Sequence, residues 1–457
     1  MMTGPAVPLG FAASGGSAPA PRIGKGTLVS LYPKEGTDFP GLRKICRSLI
    51  GGSGDAVGAL DAQGPSTRWA VSQGIQYAST DERGEARLYS GRVFLPTFWR
   101  KGPVPVPMVV FVHGAELQRR EVPFFNRGSE TMIGAMAANA CGFVVAMPDL
   151  PGLGLDPSPR PHPFCHAKAL APSVLDMIPA ALASLDPAQL KWNGKLFIMG
   201  YSAGGFAAMA AVREAQGNPL YRGIHLTASA CMGGPFHFSE AIRRILTDPV
   251  TPFSRPYLQT QLIHAFHDLY PEQGLFSPER AFNASLLQPR QSGALDDGHL
   301  LQWLDGSLNG DAVNARIRLR LRGDPEAALC GPEVLDPEWV ATNLGAEAWP
   351  DTPVGRILRQ NDLVGGWVPR SPMLLAASPT DECVAGVNTA TVLMEWAREG
   401  CRTELELIPL TWRGAGLDHL RGGILALAKA FWWIRRGTWP AFGVAEGGPD
   451  EAKDRAS

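Results

Sequence analysis

The sequence predicts an α/β protein with a mostly parallel central sheet, helices on both faces and a largely helical insertion. Three observations carry that expectation. Continuous apolar runs recur, as in MVVFVHG (108–114), GFVVAMPD (142–149), KLFIMG (195–200) and PMLLAAS (372–378), which is the pattern of strands buried on both faces. Helical stretches separate them, near Ser129–Ala140, over Ala167–Leu185 and over the Ala-rich GFAAMAAVREAQG (205–217), and strand–helix alternation of this kind builds parallel sheets. From about 236 to 370 the rhythm gives way to Pro- and aromatic-rich sequence, with Leu258, Leu262, Phe266 and Leu269 at helical spacing in PYLQTQLIHAFHDLY (256–270).

Taken in order, residues 1–24 (MMTGPAVPLGFAASGGSAPAPRIG) lack a basic start, and Pro and Gly break their apolar stretch. They are expected to be a disordered tail rather than a signal peptide, so a cytoplasmic location is expected ahead of secretion. Residues 25–235 form the first part of the core, opening with β-rich runs RWAVSQGIQY and ARLYSGRVFLP on either side of an Asp81-Glu82-Arg83-Gly84 turn. The strand-like HLTASACMGG (225–234) closes this part. The insertion spans 236–370, and the core resumes over 371–440 with PMLLAAS, a helix from Asn388 to Arg398, the strand TELELIPL (403–410) and a last helix over Leu420–Ile434. Residues 441–457 are expected to be a flexible tail.

Composition narrows the function. The 457 residues are 45% hydrophobic and 19% charged, with 42 Lys plus Arg against 43 Asp plus Glu. That describes a globular chain with a sizeable core and no field of one sign to draw nucleic acid. The seven cysteines are scattered without a C-x-x-C pair, so neither a disulfide framework nor a zinc ribbon is expected, and at most one or two bridges are possible. No transmembrane segment is expected, because no run of 18 apolar residues occurs.

The chemistry centres on Gly200-Tyr201-Ser202-Ala203-Gly204, a G-x-S-x-G pattern. In a chain with 52 glycines the five residues alone decide little. Their setting decides more, since a buried-strand run precedes them and a helix follows at once. That strand–turn–helix lifts a serine hydroxyl above the sheet edge and aims the helix N-terminus at a developing oxyanion. Ser202 is therefore the candidate nucleophile.

A serine needs a base, and His419, in WRGAGLDHLRGG between the last strand and the last helix, is the histidine placed for it. The base needs a carboxylate. Asp381, just past a buried strand in LLAASPTDECV, gives the chain order Ser…Asp…His, with Glu382 and Asp418 as rivals. The oxyanion donors are expected to be the N–H of Ala203 and, after the strand ending in His113-Gly114, that of Ala115.

Other residues read as structural. His162, Cys165 and His166 have metal-like spacing without a completed ligand set, and they read as a helix entry. His264 and His267 read as surface or packing residues on an insertion helix, and Asp149 with Gly152 and Gly154 reads as a tight turn after a strand. The C-terminal ILALAKAFWWIRR reads as a core-packing helix rather than a membrane-surface one. No metal or organic cofactor is expected.

With these residues in view, the chain resembles the α/β-hydrolase superfamily, in its esterase and lipase branch, and most of all the secretory lipase group. The resemblance rests on HGA (113–115), MPDLPGLG (147–154), HPFCHAKALAPSVLDM (162–177), GYSAGGFAAMA (200–210), GGPFHFS (233–239), NDLVGGWVP (361–369), SPTDECV (378–384) and the isolated DH at 418–419. It runs over roughly residues 65 to 435. It implies a carboxylic ester hydrolase with Ser202, Asp381 and His419 as triad, acting on a small-molecule or lipid ester. It also implies that the insertion, between the sixth and seventh strands, caps the site. The chain departs from the group in the charged ELQRRE after HGA and in lacking an obvious signal peptide.

The aromatic insertion suggests an apolar pocket for the acyl or alcohol part. Two other readings stay open at this stage. One is a peptidase or amidase on the same triad, with Glu240, Asp268 or Glu272 recognising a free amino group. The other is a catalytically silent binding scaffold. The oligomeric state is not legible from sequence.

Overall fold

A computed structural model describes residues 24–37, 70–98, 102–127, 129–289, 298–345, 349–412 and 414–437. The expected tails at 1–24 and 441–457 lie outside the described residues, Gly24 excepted. The main sheet has nine strands: β1 (Leu28–Thr37), β2 (Ala70–Thr80), β3 (Ala86–Pro96), β4 (Val104–Val112), β5 (Val144–Pro148), β6 (Leu190–Tyr201), β7 (Ala228–Met232), β8 (Met373–Ala377) and β9 (Leu405–Pro409). They lie in the order β1-β2-β3-β5-β4-β6-β7-β8-β9. From β5 onward every pairing is parallel. The first three strands run antiparallel to their neighbours. The β2–β3 hairpin closes as the sequence suggests, with the Asp81 carboxylate accepting from the N–H groups of Arg83 and Glu85 and Gly84 at a φ of 83°.

Eight longer helices accompany the sheet: α1 (Ser129–Cys141), α2 (Ala167–Ala183), α3 (Ala203–Gly217), α4 (Phe238–Thr247), α5 (Pro256–Leu269), α6 (Gly310–Arg322), α7 (Val387–Arg398) and α8 (His419–Arg436). The alternation of strand side chains sorts them into two layers. Met108, Val110 and Val112 of β4 with Leu196 and Ile198 of β6 pack toward α2 and α3. Val109 and Phe111 with Phe197 and Met199 pack toward α1 and α8. Both faces are thus covered, which is why these strands read as unbroken apolar runs rather than alternating ones.

Between β7 and β8 the described chain adds no strand to the main sheet and folds as helices, α4 to α6 and several shorter turns. One correction to the sequence reading arises here: the insertion follows the seventh strand of the sheet, not the sixth, because β1, which the sequence reading did not single out, joins the same sheet. Several of the insertion's aromatic residues pack on one another and on Phe206 of α3. Phe206, Phe238, Phe266, Phe276 and Trp339 form a chain of ring contacts with centroids 5.3–6.3 Å apart. Burying those rings holds the insertion to the core and contributes through both area and ring geometry.

Candidate active site

Ser202 sits between β6 and α3 as the residue capping the helix N-terminus, at φ 59° and ψ −130°. A non-glycine residue in this region is strained by about 1–3 kcal/mol, and the surrounding structure must hold it there. Its N–H donates to the Met232 carbonyl and its carbonyl accepts from Phe206 N–H. The flanking glycines are steric necessities. A Cβ on Gly200 would come within 2.3 Å of the Gly204 carbonyl oxygen, and one on Gly204 within 2.2 Å of the Val112 carbonyl oxygen.

The three sequence candidates meet in one line. His419 Nε2 lies 2.8 Å from Ser202 Oγ. On the other side of the ring, Nδ1 lies 2.9 and 2.8 Å from the two Asp381 oxygens. With the carboxylate accepting from Nδ1–H, the Nε2 lone pair faces the serine hydroxyl. The His419 side chain is 8% exposed and that of Asp381 1%, so the pair works away from bulk water. His419 is the first residue of α8 and not a loop residue as its sequence setting suggested, because Asp418 caps the helix by accepting from Arg421 N–H. That also disposes of Asp418 as a rival. Glu382 takes a different part: its Oε2 accepts the backbone N–H of His419 at 2.9 Å. Asp381 Oδ1 further accepts from the N–H groups of Cys383 and Val384.

Sequence reasoning missed Tyr201. Its hydroxyl donates to the His419 carbonyl at 2.9 Å and lies 3.3 Å from Asp381 Oδ2. Burial, and then the Asp381 charge, raise its pKa well above the usual phenol value, so it stays a donor. Gly423 admits it, since a Cβ there would lie 2.7 Å from the Tyr201 ring. The only signal in sequence was its place beside Ser202.

The loop after β4 is held by Glu130 of α1, whose Oε2 accepts Gly114 N–H at 2.6 Å. Burial raises Glu130 and Glu116 each to about 7. Ala115 and Ala203 both lie beside Ser202, lining a small apolar cavity with it. Its wall is built by Phe164, Phe253, Ile242, Leu246, Leu258 and Leu262 among others. A larger cavity of about 230 Å³ also reaches Ser202 and is lined by His419, Glu116, Glu130, Arg255 and Tyr257 among others.

The remaining histidines near the core serve structure. His166 caps α2 by accepting from Ala169 N–H and contacts the Tyr270 hydroxyl. His162 Nδ1 bonds the Pro151 carbonyl. Burial pushes both down to about 4, so they stay neutral. Asp149 is fully buried, accepting from the Ser90 hydroxyl and Phe124 N–H. Among the described residues, six cysteines are all unbridged. Donor atoms of Asp381, Cys383 and His419 lie within 4.8 Å of one another, but both His419 nitrogens are already engaged by Ser202 and Asp381. No helix among the described residues is long and apolar enough to cross a membrane.

Comparison with solved structures settles the architecture. The rice cell wall degrading esterase LipA from Xanthomonas oryzae superposes with a TM-score of 0.65 over 90% of this chain and 97% of its own, at 19% identity. The fold is that of the α/β-hydrolases. A Legionella pneumophila protein described as a hydrolase shares this α/β-hydrolase architecture, with a TM-score of 0.67, 20% identity and coverage of 90% of this chain and 99% of that one. So does Candida antarctica lipase A in its closed state, with a TM-score of 0.60, 18% identity and coverage of 92% and 84%. Residues 128–234 of this chain, which include α1, α2 and the Ser202 turn, match the secretory lipase family. No curated protein matches the chain.

Proposed function

We propose that this α/β-hydrolase cleaves carboxylic esters through an acyl-enzyme on Ser202. The observation that carries the reading is the unbroken line from the Asp381 carboxylate through His419 to Ser202 Oγ, with contacts of 2.8 Å at each end. Ser202 attacks the ester carbonyl while Nε2 takes its proton, and Asp381 stabilises the imidazolium. The N–H groups of Ala115 and Ala203 receive the oxyanion, each contributing about 2.7–4 kcal/mol to the transition state. The intermediate then collapses, Nε2–H protonates the departing alcohol, and a water molecule repeats the sequence on the acyl-enzyme. The insertion over 236–370 acts as the cap, since its helices α4 and α5 supply Ile242, Leu246, Leu258 and Leu262 beside Ser202.

The side that each half of the ester occupies follows from the proton. His419 lines the larger cavity and not the apolar one, so the alcohol leaves through the larger and the acyl chain sits in the smaller. This also weighs against an aminoacyl-selecting peptidase. Its carboxylate partner would be needed on the acyl side, whereas Glu116, Glu121 and Glu130 lie on the alcohol side. Asp268 is paired with Arg160 and Glu240 with Arg243. The test is hydrolysis of chromogenic esters beside an aminoacyl anilide, by the native enzyme and by Ser202→Ala. Ester turnover lost in Ser202→Ala is expected; anilide turnover without ester turnover overturns the reading.

A further inference from the structure

The apolar cavity beside Ser202 is small, and part of its wall is shared with a second cavity. Its volume is about 50 Å³. A water-sized group needs about 10–15 Å³ of such space, so the pocket holds roughly three to five of them. Four of its lining residues, Ile245, Phe253, Cys383 and Val384, also line a separate cavity of about 320 Å³ on their far side. They come from two distant segments. Ile245 and Phe253 belong to the end of α4 and the loop after it, and Cys383 and Val384 to the loop that carries Asp381. Asp381 lies within that partition, because its Oδ1 accepts from the N–H groups of both Cys383 and Val384 at 2.9 and 2.7 Å. The loop that orients the base therefore also closes the pocket.

We propose that this four-residue partition is the acyl-length gauge of the enzyme, restricting it to esters of short acids with about two to four carbons, whatever the size of the alcohol. The inference rests on the ester-hydrolase reading and deepens it. The physical reason is packing: a chain longer than the pocket meets a wall of buried Phe253 and Cys383 with half-buried Ile245 and Val384, and apolar pockets discriminate by roughly tenfold or more per misfitting methylene. The space beyond the wall gives the gauge a specific weakness. Removing one side chain from the partition joins about 50 Å³ to about 320 Å³, which extends the pocket rather than merely loosening it. The alcohol side carries no such stop, since its cavity is larger and lined by charged groups of both signs, Glu116 and Arg255 among them.

The experiment measures kcat/KM on p-nitrophenyl esters from acetate to dodecanoate, for the native enzyme, Val384→Ala and Phe253→Ala. Val384 is only partly buried, so that variant keeps the test open if truncating the buried Phe253 disturbs folding. Native activity is expected to peak between acetate and butyrate and to drop roughly tenfold or more by octanoate. In Val384→Ala the octanoate-to-butyrate ratio is expected to rise by about tenfold. A pair of isomers checks the sides: octyl butanoate is expected to be cleaved faster than butyl octanoate. A native preference for octanoate or longer, or an unchanged ratio in Val384→Ala, overturns the gauge. A Ser202→Ala control separates the two levels. Turnover that survives it overturns the ester-hydrolase reading itself, whereas turnover lost in it with the chain-length order reversed overturns the gauge alone.

Discussion

The Tyr201 hydroxyl donates to the backbone carbonyl of His419 at 2.9 Å, joining the residue before the candidate nucleophile to the candidate base. The two lie 218 positions apart in the chain. This bond, with the Glu382 carboxylate on the His419 N–H, fixes the first turn of α8 from both sides and so sets where the imidazole stands.

Replacing Tyr201 by Phe keeps the ring between Gly423 and His419 and removes the donor. The His419 carbonyl keeps its place in the helix ladder, so the change removes one hydrogen bond, about 0.5–1.5 kcal/mol. Steady-state kinetics of Tyr201→Phe are expected to show kcat lower by about tenfold with KM nearly unchanged, because the loss falls on the positioning of the base and not on substrate contact.

Asp381 and Glu382 are neighbours with different duties, and substitution separates them. Asp381→Asn is expected to lower kcat by about 10⁴, since the amide favours the wrong imidazole tautomer. Glu382→Gln retains an oxygen for the His419 N–H and is expected to lose about tenfold at most. Equal losses in the two variants count against Asp381 as the partner of the base.

Ser202→Gly addresses the backbone. At a φ of 59° glycine relieves strain that serine bears, so the variant is expected to be inactive yet more stable by about 1 kcal/mol or more. Thermal unfolding of the two proteins side by side reads it, and a lower melting temperature contradicts the strain assignment.

Glu130 and Asp149 each contribute to the pH dependence of stability. Burial raises each to about 7, from ordinary values of 4.5 and 3.8. A raised carboxyl means the unfolded chain ionises first, so the stability these two groups contribute is full below about pH 4, is lost as pH rises from about 4 to 7, and is level above that; the neutral His162 and His166, pushed down to about 4, act in the opposite sense. Denaturant midpoints at pH 5 and pH 8, compared between the native protein and a Glu130 variant, isolate the carboxyl share. Glu130 is partly open to the cavity, so its share is discounted to on the order of 1–2 kcal/mol. Glu130→Gln, which keeps an acceptor for Gly114 N–H, is expected to flatten the slope and raise stability at pH 8.

Local sequence determined the frame. Buried strands announced themselves as unbroken apolar runs because both faces of the sheet are covered, and Ser202 was legible because a strand, two crowded glycines and a helix are contiguous in the chain. Asp381 and His419 were legible from chain order, although the helix cap at Asp418 placed His419 one residue inside α8. The tertiary structure decided what order and periodicity do not encode. Tyr201 on His419, Glu130 on Gly114 and the partition of Ile245, Phe253, Cys383 and Val384 each join residues from separate elements. Such contacts leave no period or spacing behind, because their energy comes from side chains meeting only after the sheet and insertion have packed. The aromatic insertion shows the same limit: its rings were visible in sequence, and only folding decided that Phe238, Phe266, Phe276 and Trp339 pack on one another while Phe253 and Tyr257 face the cavities at Ser202.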